Sequence, residues 1–523
     1  MKFSKTVTIL LSFVSCLLLL FFLWWHWRLG MTRYFDVDEF AHLSWAYQML
    51  SGRKPYVDFL FYIPPGFQLF LMPLFAFGSG VTPFLAGRLV QFGTFVLLAG
   101  TTITLFWLMR RSWVAILAGV FLAFLPLPFD KFLEIRPDTL ATLMVMMGMV
   151  FQILVLKGVT LRGRVTPYQV LAGFFYALSL LILPKVLPQV GVAIVVALFT
   201  KNIRSLLGGF VIPLAVFGLW ALTLGNLDQV IYSLTKLPVE ALKISQTFIM
   251  MPDLFFYPNS IFYGASGWST GLLVNHAIWI IAIFVAAYRL VAPFLSVTPA
   301  YAGVQSKTKN TKDWIPAFAG MTRKEQGMTT PWAEFLIAAT FFTHVFFYIQ
   351  IVPLKHTQYL IPIAVFIAFY AADAVDMVWQ KAKHANLLST GIFLTMFFLA
   401  SIWLWRVFVA VNTPKLAWTN TDTIRDLTTL YQTIPAAEYI LDLTGQTIYY
   451  RHPYVACCIH FGQSAPYLSR PLPSLSQALE KTQTKYIFEG GLTRTNTLLP
   501  DDQAYITAHY LPHPVIAGLL LRK

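Results

Sequence analysis

The stretch FDVDEFAH, residues 35–42, contains four side chains that could carry out acid–base chemistry: Asp36, Asp38, Glu39 and His42. The chain has only 23 Asp and Glu among 523 residues, and three of them lie within four positions here. In a helix, Asp38 and Glu39 would lie four and three residues before His42, on a shared face. Such a carboxylate could be a general base that takes a proton from a hydroxyl or an amine.

The same residues also have a purely structural explanation. Acidic residues in the first turn of a helix stabilise its dipole, and Asp36 or Asp38 could be the N-cap. This accounts for one or two acids but not for the histidine or the clustering. Asp36 and Asp38 form a D-x-D pair that could hold a divalent metal, although such pairs are common by chance. We interpret Asp38, Glu39 and His42 as candidate catalytic residues.

A second group of candidates follows in GRKPYVDFLFYIPPG, residues 52–66. Tyr56 and Asp58 lie there in a loop between two helical stretches. Aromatic and proline residues in such a loop could equally anchor the chain at a membrane interface. The hypothesis is that Tyr56 and Asp58 contribute to substrate binding.

Basic residues that could bind an anion occur in FDKFLEIRPDTL, residues 129–140. Pro137 and Asp138 can begin a helix, and the N-terminus of a helix attracts anions. The planar guanidinium of Arg136 suits phosphate oxygens, although its side chain could instead simply reach the membrane surface. Arg136 and Asp138 are therefore predicted to contribute to a phosphate site, with the second interpretation open.

Lys185 is the only charged residue between Arg164 and Lys201. A single cation between apolar segments costs free energy unless it is paired, and a lipid phosphate would be its natural partner. Lys355 and His356, in VPLKHTQYLIP, occupy the corresponding turn between two later apolar runs. These three residues are also predicted to bind the substrate.

The composition identifies the kind of chain that must position these residues. Hydrophobic residues make up 57% of it and charged residues 12%, and the mean hydropathy is +0.65. A soluble domain of this length could not bury so much apolar surface, so the sequence predicts a polytopic membrane protein. The net charge of +15 indicates basic cytoplasmic loops rather than a nucleic-acid partner.

The apolar runs predict about eleven transmembrane helices. They lie near residues 7–25, 84–108, 113–128, 139–156, 168–184, 186–200, 206–225, 270–288, 333–352, 359–378 and 387–406. All basic clusters then face the cytoplasm, provided that residues 65–78, which are too short to cross, form an interfacial helix in the first outer loop. On this map the acidic stretch faces outward, which in a bacterial inner membrane is the periplasm.

The composition changes after the last apolar run, and residues 412–523 predict a small outer α/β domain behind a membrane domain of residues 1–410. Strand-like runs occur at 438–443, 485–490 and 515–521, with a helical stretch at 475–483. Adjacent cysteines rarely bridge each other, so Cys457 and Cys458 predict no disulfide framework. The polar and basic stretch at 311–332 is interpreted as a disordered insertion in a cytoplasmic loop.

Several motifs follow one another in an order typical of one enzyme family. They are DE at 38–39, SGRKPYVDF at 51–59, PPG at 64–66, EIRPD at 134–138, LPK at 183–185 and HTQYLIP at 356–362. In this order, and on one predicted membrane face, they resemble the GT-C superfamily of membrane glycosyltransferases. The resemblance covers about residues 5–406. It is to the bacterial branch similar to protein O-mannosyltransferases and the lipid A aminoarabinose transferase, which is family 39-like.

The resemblance implies an inverting hexosyl or pentosyl transfer from a polyprenyl phosphate or diphosphate to a glycan, lipid or protein outside the cytoplasm. By the same resemblance Asp38 is the base that deprotonates the acceptor. We expect Glu39 and His42 to orient or tune it. Arg136, Lys185 and Lys355 would hold the donor phosphate. Phe40 and Ala41 stand where the aminoarabinose transferase has a nearby basic residue, so the resemblance does not imply lipid A as the acceptor.

Two other classes of function stay open. A transporter of a lipid-linked or small polar substrate would also carry intramembrane charges in many spans. Transporters usually show repeated halves with charges near the midplane, whereas here the charges map to one face and no internal duplication is visible. A non-catalytic scaffold whose outer domain binds a partner is the third possibility, and the acidic stretch argues against it only in part.

Overall fold

Long apolar helices make up most of the first 412 residues. The computed structural model describes residues 2–159, 166–241, 243, 270–295, 331–352, 356–458, 464–490 and 494–523. Within these ranges, eight helices are long and apolar enough to cross a membrane, or nine if a bent pair counts as one span. The prediction of a mainly helical, multi-pass membrane protein with a small C-terminal α/β unit is confirmed.

The membrane part contains fifteen labelled α-helices within the described residues. They are α1 (Lys2–Thr32), α2 (Val37–Leu50), α3 (Gly66–Leu71), α4 (Thr82–Arg110), α5 (Ala115–Phe124), α6 (Pro126–Phe132), α7 (Pro137–Leu156), α8 (Thr166–Ile182), α9 (Leu187–Phe199), α10 (Ile203–Thr223), α11 (Leu227–Ala241), α12 (Thr270–Leu295), α13 (Pro331–Phe346), α14 (Ile361–Ala385) and α15 (Leu387–Asn412).

Three of the predicted spans differ from a straight transmembrane helix. The one predicted at 113–128 is the bent pair α5 and α6, whose axes meet at 77°. Pro126 begins α6, and because its nitrogen carries no hydrogen the helical hydrogen bonding cannot run on through it. The spans predicted at 168–184 and 186–200 are shorter apolar helices on either side of a 3-10 turn, Pro184–Val186.

The core lies between the spans, and α14 is its central helix. Residues 361–372 of α14 are all buried, and this helix packs against α5, α12 and α15. Around it, α7 packs between α4 and α8, and α10 packs on the far side of α8.

The α8–α10 crossing is close because of two glycines. A Cβ on Gly173 would lie 1.9 Å from the Leu206 carbonyl oxygen, and one on Gly209 would lie 1.8 Å from that of Val170.

The first loop between spans contains the predicted interfacial helix. At 65–78 the chain forms α3 followed by a 3-10 helix, Met72–Phe77. Phe67 and Leu71 face the core, whereas Leu69, Phe70 and Phe77 are exposed. One apolar face is therefore directed away from the protein, as expected of a helix at a membrane surface.

The C-terminal unit is built on a four-stranded sheet. Its elements are α16 (Thr421–Thr433), β1 (Ile440–Asp442), α17 (Leu475–Lys481), β2 (Tyr486–Phe488), α18 (Pro500–His509), β3 (Tyr510–Pro512) and β4 (Leu519–Arg522). The strand order is β1-β2-β4-β3, with β1 and β2 parallel and the other pairs antiparallel. All three predicted strands and the predicted helix are present in shorter form. The edge strand β3, in YLP, was not predicted.

A disulfide joins Cys457 and Cys458, contrary to the expectation for adjacent cysteines. The backbone of Cys458 has a positive φ of 73°, in the left-handed region. Both cysteines belong to a small apolar cluster that also contains Ala41 and Trp45 of α2. Residues 311–330 of the predicted insertion lie outside the described residues.

Candidate active site

Helix α2 begins at the acidic stretch, and its first turn is fixed by a capping box. The carboxylate of Asp36 accepts a hydrogen bond from the Asp38 backbone nitrogen at 3.0 Å. The Glu39 carboxylate reaches back and accepts from the Asp36 nitrogen at 2.8 Å. These bonds satisfy backbone donors that a helix start leaves unpaired. Asp36 is therefore the N-cap, and the side chains of Asp38 and Glu39 project from a first turn whose backbone is fixed.

Glu39 is completely buried and joins three elements. Arg88 of α4 donates to both of its carboxylate oxygens, and the backbone nitrogen of Ile135 donates at 3.0 Å. Arg88 also donates to the carbonyl oxygens of Gly30 and Tyr34, at 2.6 and 2.9 Å. Burial raises the pKa of Glu39, and the charge of Arg88 opposes that shift. Glu39 thus fastens α2 to the ends of α1 and α4.

Asp38 lies in a group of six charged residues that we call the loop cluster: Arg33, Asp36, Asp38, Lys131, Glu134 and Arg136. Each guanidinium nitrogen of Arg136 contacts one carboxylate. Its Nη1 lies 2.8 Å from Asp38 and its Nη2 3.0 Å from Asp36, while its Nε donates to Glu134. Arg136 therefore holds the three acids in one arrangement.

The other two cations of the loop cluster bind the buried acid. Lys131 lies 2.8 Å from Glu134 and 3.4 Å from Asp36, and Arg33 lies 2.7 Å from Glu134. Three acids thus face three bases, so the formal charge of the loop cluster is balanced. Burial raises the pKa of Glu134, but Arg136, Arg33 and Lys131 outweigh it and lower that pKa well below its usual value.

Asp38 is the most accessible carboxylate of the loop cluster. Its side chain is 48% exposed, against 22% for Asp36 and 0% for Glu134. Burial of the site raises the pKa of Asp38, but the charge of Arg136 outweighs this and holds that pKa below its usual value. Asp38 is therefore ionised at neutral pH, open on one side, and able to accept a proton.

His42 lies one helical turn after Asp38, as predicted, but it is buried. The Gln68 amide nitrogen of α3 lies 3.1 Å from His42 Nδ1, and the ring packs edge-on against Phe67 and Trp45. Burial lowers the pKa of His42 to about 3, although the charge of Asp38 opposes the shift. His42 is thus neutral at physiological pH and links α2 to α3.

Lys185 is a second charged candidate, and its charge acts on the same histidines as that of Asp38. Its ammonium lies 3.4 Å from the buried Asp138 carboxylate and 3.8 Å above the ring of Tyr359, and the side chain is 30% exposed. Burial and the charge of Lys185 lower the pKa of His356, while Asp38 raises it, so Asp38 and Lys185 both act on one histidine. Lys355 lies outside the described residues.

Tyr56 and Asp58 have their observed contacts within their own loop. The Tyr56 hydroxyl donates to the Ile63 carbonyl oxygen at 2.8 Å, and its ring is buried. The exposed Asp58 carboxylate accepts from the Lys54 backbone nitrogen at 2.7 Å. These bonds give the loop its shape, and neither residue contacts the loop cluster.

The predicted metal pair does not fit a metal ion in this arrangement. Asp36 and Asp38 are both paired with Arg136, whose positive charge occupies the position where a cation would be needed. Among the residues that the structure describes, no group of three or more His, Cys, Asp or Glu side chains could hold a metal.

Two arginines of the site were missed from the sequence. Arg88 lies near the start of a predicted span, where a single arginine is costly and should have indicated a buried partner. Arg33 lies eight residues after the end of the first apolar run, where it looked like an ordinary flanking residue.

Comparison with known proteins identifies solved structures that have a similar fold. No family model and no curated protein sequence matches the chain. Among solved structures, AglB, the oligosaccharyltransferase from Archaeoglobus fulgidus in complex with an inhibitory peptide and a dolichol-phosphate, has a TM-score of 0.51 at 11% identity. That match covers 100% of this chain and 75% of the other. The chain shares the fold of this oligosaccharyltransferase.

Two further structures are similar. The apo form of the same Archaeoglobus fulgidus enzyme has a TM-score of 0.50 at 12% identity, covering 95% of this chain and 72% of that one. ArnT from Cupriavidus metallidurans bound to undecaprenyl phosphate has a TM-score of 0.48 at 14% identity, covering 99% of this chain and 98% of that one. The predicted resemblance is confirmed for the fold, and identities this low show the fold alone.

Proposed function

We propose that this protein transfers a sugar from a polyprenyl-phosphate or polyprenyl-diphosphate donor to an acceptor outside the cytoplasm, with Asp38 as the general base. The observation that carries the proposal is the state of Asp38. It is a half-exposed carboxylate, kept ionised by Arg136, in a cluster whose other acids are more deeply buried. Burying charged groups is costly, so such a cluster is poor evidence for a role in stabilising the fold. One fixed and exposed carboxylate with a shifted pKa suits proton transfer better.

The proposed reaction is a single displacement with inversion at the anomeric carbon. The acceptor oxygen or nitrogen forms a bond to that carbon while its proton passes to Asp38. The bond between the carbon and the phosphate oxygen breaks, and its electron pair leaves with the polyprenyl phosphate. Because Arg136 makes Asp38 a weak base, the proton moves late, when bond formation has made the acceptor more acidic.

Lys185 is the proposed ligand of the leaving phosphate. Its ammonium is partly exposed, and among the residues that the structure describes it has one carboxylate partner, at 3.4 Å, which leaves donors available for phosphate oxygens. Asp138 and His356 would position the Lys185 ammonium, and Lys355 is the proposed second ligand of the phosphate. A cation near the developing charge stabilises the transition state more than the bound donor.

The structure leads us to propose different roles for three predicted residues. Arg136 already contacts a carboxylate with each guanidinium nitrogen, so it would position Asp38 rather than bind phosphate. Glu39 and His42 are buried, and through Arg88 and Gln68 they would hold α2 against α4 and α3. Tyr56 and Asp58 remain candidate acceptor-binding residues on the loop that follows α2.

The wider setting of this function is proposed on the same basis. The structure of AglB was solved with a dolichol-phosphate, and this chain has the same fold. We propose that residues 1–410 form the catalytic membrane domain in the inner membrane of a bacterium. The loop cluster and residues 412–523 would then face the periplasm.

The first experiment is purification in lipid nanodiscs, with mass spectrometry of bound lipid and titration with undecaprenyl phosphate. The wild type should bind saturably, and Lys185→Gln should bind about tenfold more weakly, because it loses a charge-assisted contact. The matched control is Lys481→Gln, which removes an exposed lysine of the C-terminal unit. Absence of saturable binding to folded wild-type protein would refute a polyprenyl-phosphate transferase and favour a transporter.

A further inference from the structure

The C-terminal unit contacts helix α2 and the loop that follows it through its own loop 443–458. The backbone nitrogen of Leu60 donates to the Val455 carbonyl oxygen at 2.6 Å, and the Ser44 hydroxyl lies 3.9 Å from the Cys457 sulfur. Ser44 belongs to α2, two residues after His42. The disulfide of Cys457 and Cys458 therefore lies against the same helix that presents Asp38.

Gly445 lies close to the backbone of α2. A Cβ at this position would lie 3.0 Å from the Ala41 backbone nitrogen, 3.0 Å from the Phe40 carbonyl carbon and 3.0 Å from the Cys458 sulfur. Its φ of +86° also favours glycine. The loop thus lies against the helix backbone directly after Asp38 and Glu39, where a shift of the loop would move the helix.

Arg494 joins the two ends of the loop. Its Nη1 donates to the Leu443 carbonyl oxygen at 2.9 Å and to the Cys458 carbonyl oxygen at 3.1 Å, and the side chain is 5% exposed. Burial lowers the pKa of Arg494, and among the charges that oppose this shift Asp38 has the largest effect. One buried guanidinium of the C-terminal unit therefore holds the loop together, and its charge interacts with that of the proposed base.

We propose that Arg494 is a positioning residue of the active site. By holding the loop 443–458 against Phe40 and Ala41, it fixes the first turn of α2 and with it the Asp38 carboxylate. The inference rests on the proposed function in assigning Asp38 as the base. It makes the C-terminal unit part of the site, since the membrane helices alone lack this support for α2.

The first test compares Arg494→Gln, Arg494→Lys and the exposed control Arg425→Gln. Arg494→Gln should lower kcat about 10- to 100-fold, because small displacements of a catalytic group have effects of that size. Undecaprenyl phosphate should bind as in the wild type, because Lys185 is untouched. Arg494→Lys, which keeps the charge and one donor direction, should recover part of kcat. Equal kcat in Arg494→Gln and wild type would overturn the inference.

The second test uses two glycines with nearly the same backbone. Gly445 and Gly52 have φ values of +86° and +84°, but a Cβ on Gly52 meets nothing within 4 Å. Gly445→Ala should therefore lower kcat more than Gly52→Ala, although both variants place an alanine at a similar positive φ. Equal losses in the two variants would show that contact with α2 does not matter.

A readout independent of turnover separates this inference from the proposed function. Hydrogen exchange of residues 37–50 should be faster in Arg494→Gln than in Arg425→Gln, while exchange in α14 stays unchanged. If exchange in α2 is faster in Arg494→Gln but the wild type transfers no sugar, the role of Arg494 is supported and the proposed transferase function is refuted. Unchanged exchange in α2 would refute the positioning role of Arg494, whether or not the wild type transfers sugar.

Discussion

Two buried charge clusters lie at opposite ends of α4, and they differ in one respect. The loop cluster lies near Arg88. The second, which we call the span cluster, consists of Arg110, Arg289, Glu334 and Asp373 from four different spans. Residues 88 and 110 are about 33 Å apart along a helix, close to the thickness of the hydrocarbon core. In the part of the chain that the structure describes, one charge cluster thus lies at each end of this span.

The span cluster is closed. Asp373 is completely buried between Arg110 and Arg289, at 2.7 and 2.8 Å, and Glu334 pairs with Arg110 on the other side. No carboxylate of the span cluster is more than 5% exposed, whereas Asp38 is 48% exposed. Both clusters have balanced charge, so charge pairing alone does not distinguish them. The accessible carboxylate does, and it is our reason for placing chemistry in the loop cluster.

The largest expected effect is on turnover in the loop cluster. Asp38→Asn should lower kcat by about 10²- to 10⁴-fold, the usual contribution of a general base, because the amide cannot accept the proton. Its melting temperature should stay close to wild type, since the capping box at Asp36 remains. Steady-state transfer assays and thermal unfolding in detergent measure both. Asp422→Asn, an exposed carboxylate on α16, is the control, and equal losses in the two variants would contradict the assignment.

The next effect is on stability in the span cluster. Asp373→Asn leaves Arg110 and Arg289 without their shared partner and should destabilise the protein by about 3–5 kcal/mol, as for other broken buried pairs. Among molecules that stay folded, kcat should be unchanged. Denaturant unfolding combined with a transfer assay below the transition measures this. A fall in kcat without loss of stability would remove the distinction between the clusters.

Glu39→Gln tests whether adjacent carboxylates have different roles. We expect a loss of stability of about 1–3 kcal/mol, because Arg88 loses its charged partner but keeps two carbonyl acceptors. The fall in kcat should be smaller than for Asp38→Asn. Comparing melting temperature and kcat of the two variants measures this. A greater loss of turnover in Glu39→Gln would make Glu39 the stronger candidate for the base.

The smallest effect is expected at the surface. The Arg425–Asp422 pair of α16 is exposed, and such pairs contribute less than about 1 kcal/mol. Arg425→Gln should therefore change the melting temperature little and leave kcat unchanged. A large effect on either would mean that the C-terminal unit acts on the site through α16 rather than through the loop 443–458.

Local features of the site could be predicted from the sequence, and long-range ones could not. Asp36, Asp38, Glu39 and His42 lie within seven residues, so helix periodicity and capping preferences were enough to place them on α2. The partners of Glu39 and Asp38 are Arg88 and Arg136, which are 49 and 98 positions away in the chain. Neither spacing nor composition identifies pairs formed only when spans assemble.

The same limit explains the errors in the fold. Apolar composition predicted the spans, but it could not distinguish a straight helix at 113–128 from two helices that bend at Pro126. The strand β3 has three residues and pairs only with β4, so no alternation marked it. The vicinal disulfide depends on the conformation of a loop that α2 and Arg494 hold in place.

The short helices on either side of Lys185 have a consequence for the lipid itself. With 17 residues in α8 and 13 in α9, these helices are about 26 and 20 Å long, less than the roughly 30 Å of an average hydrocarbon core. The bilayer beside them must thin, or the turn at Lys185 must sink below the headgroups. Either adjustment brings the level of the lipid headgroups and the Lys185 ammonium together along this one edge of the protein. Hydrophobic mismatch would then guide a polyprenyl phosphate from the surrounding leaflet to the place where its charge can be bound.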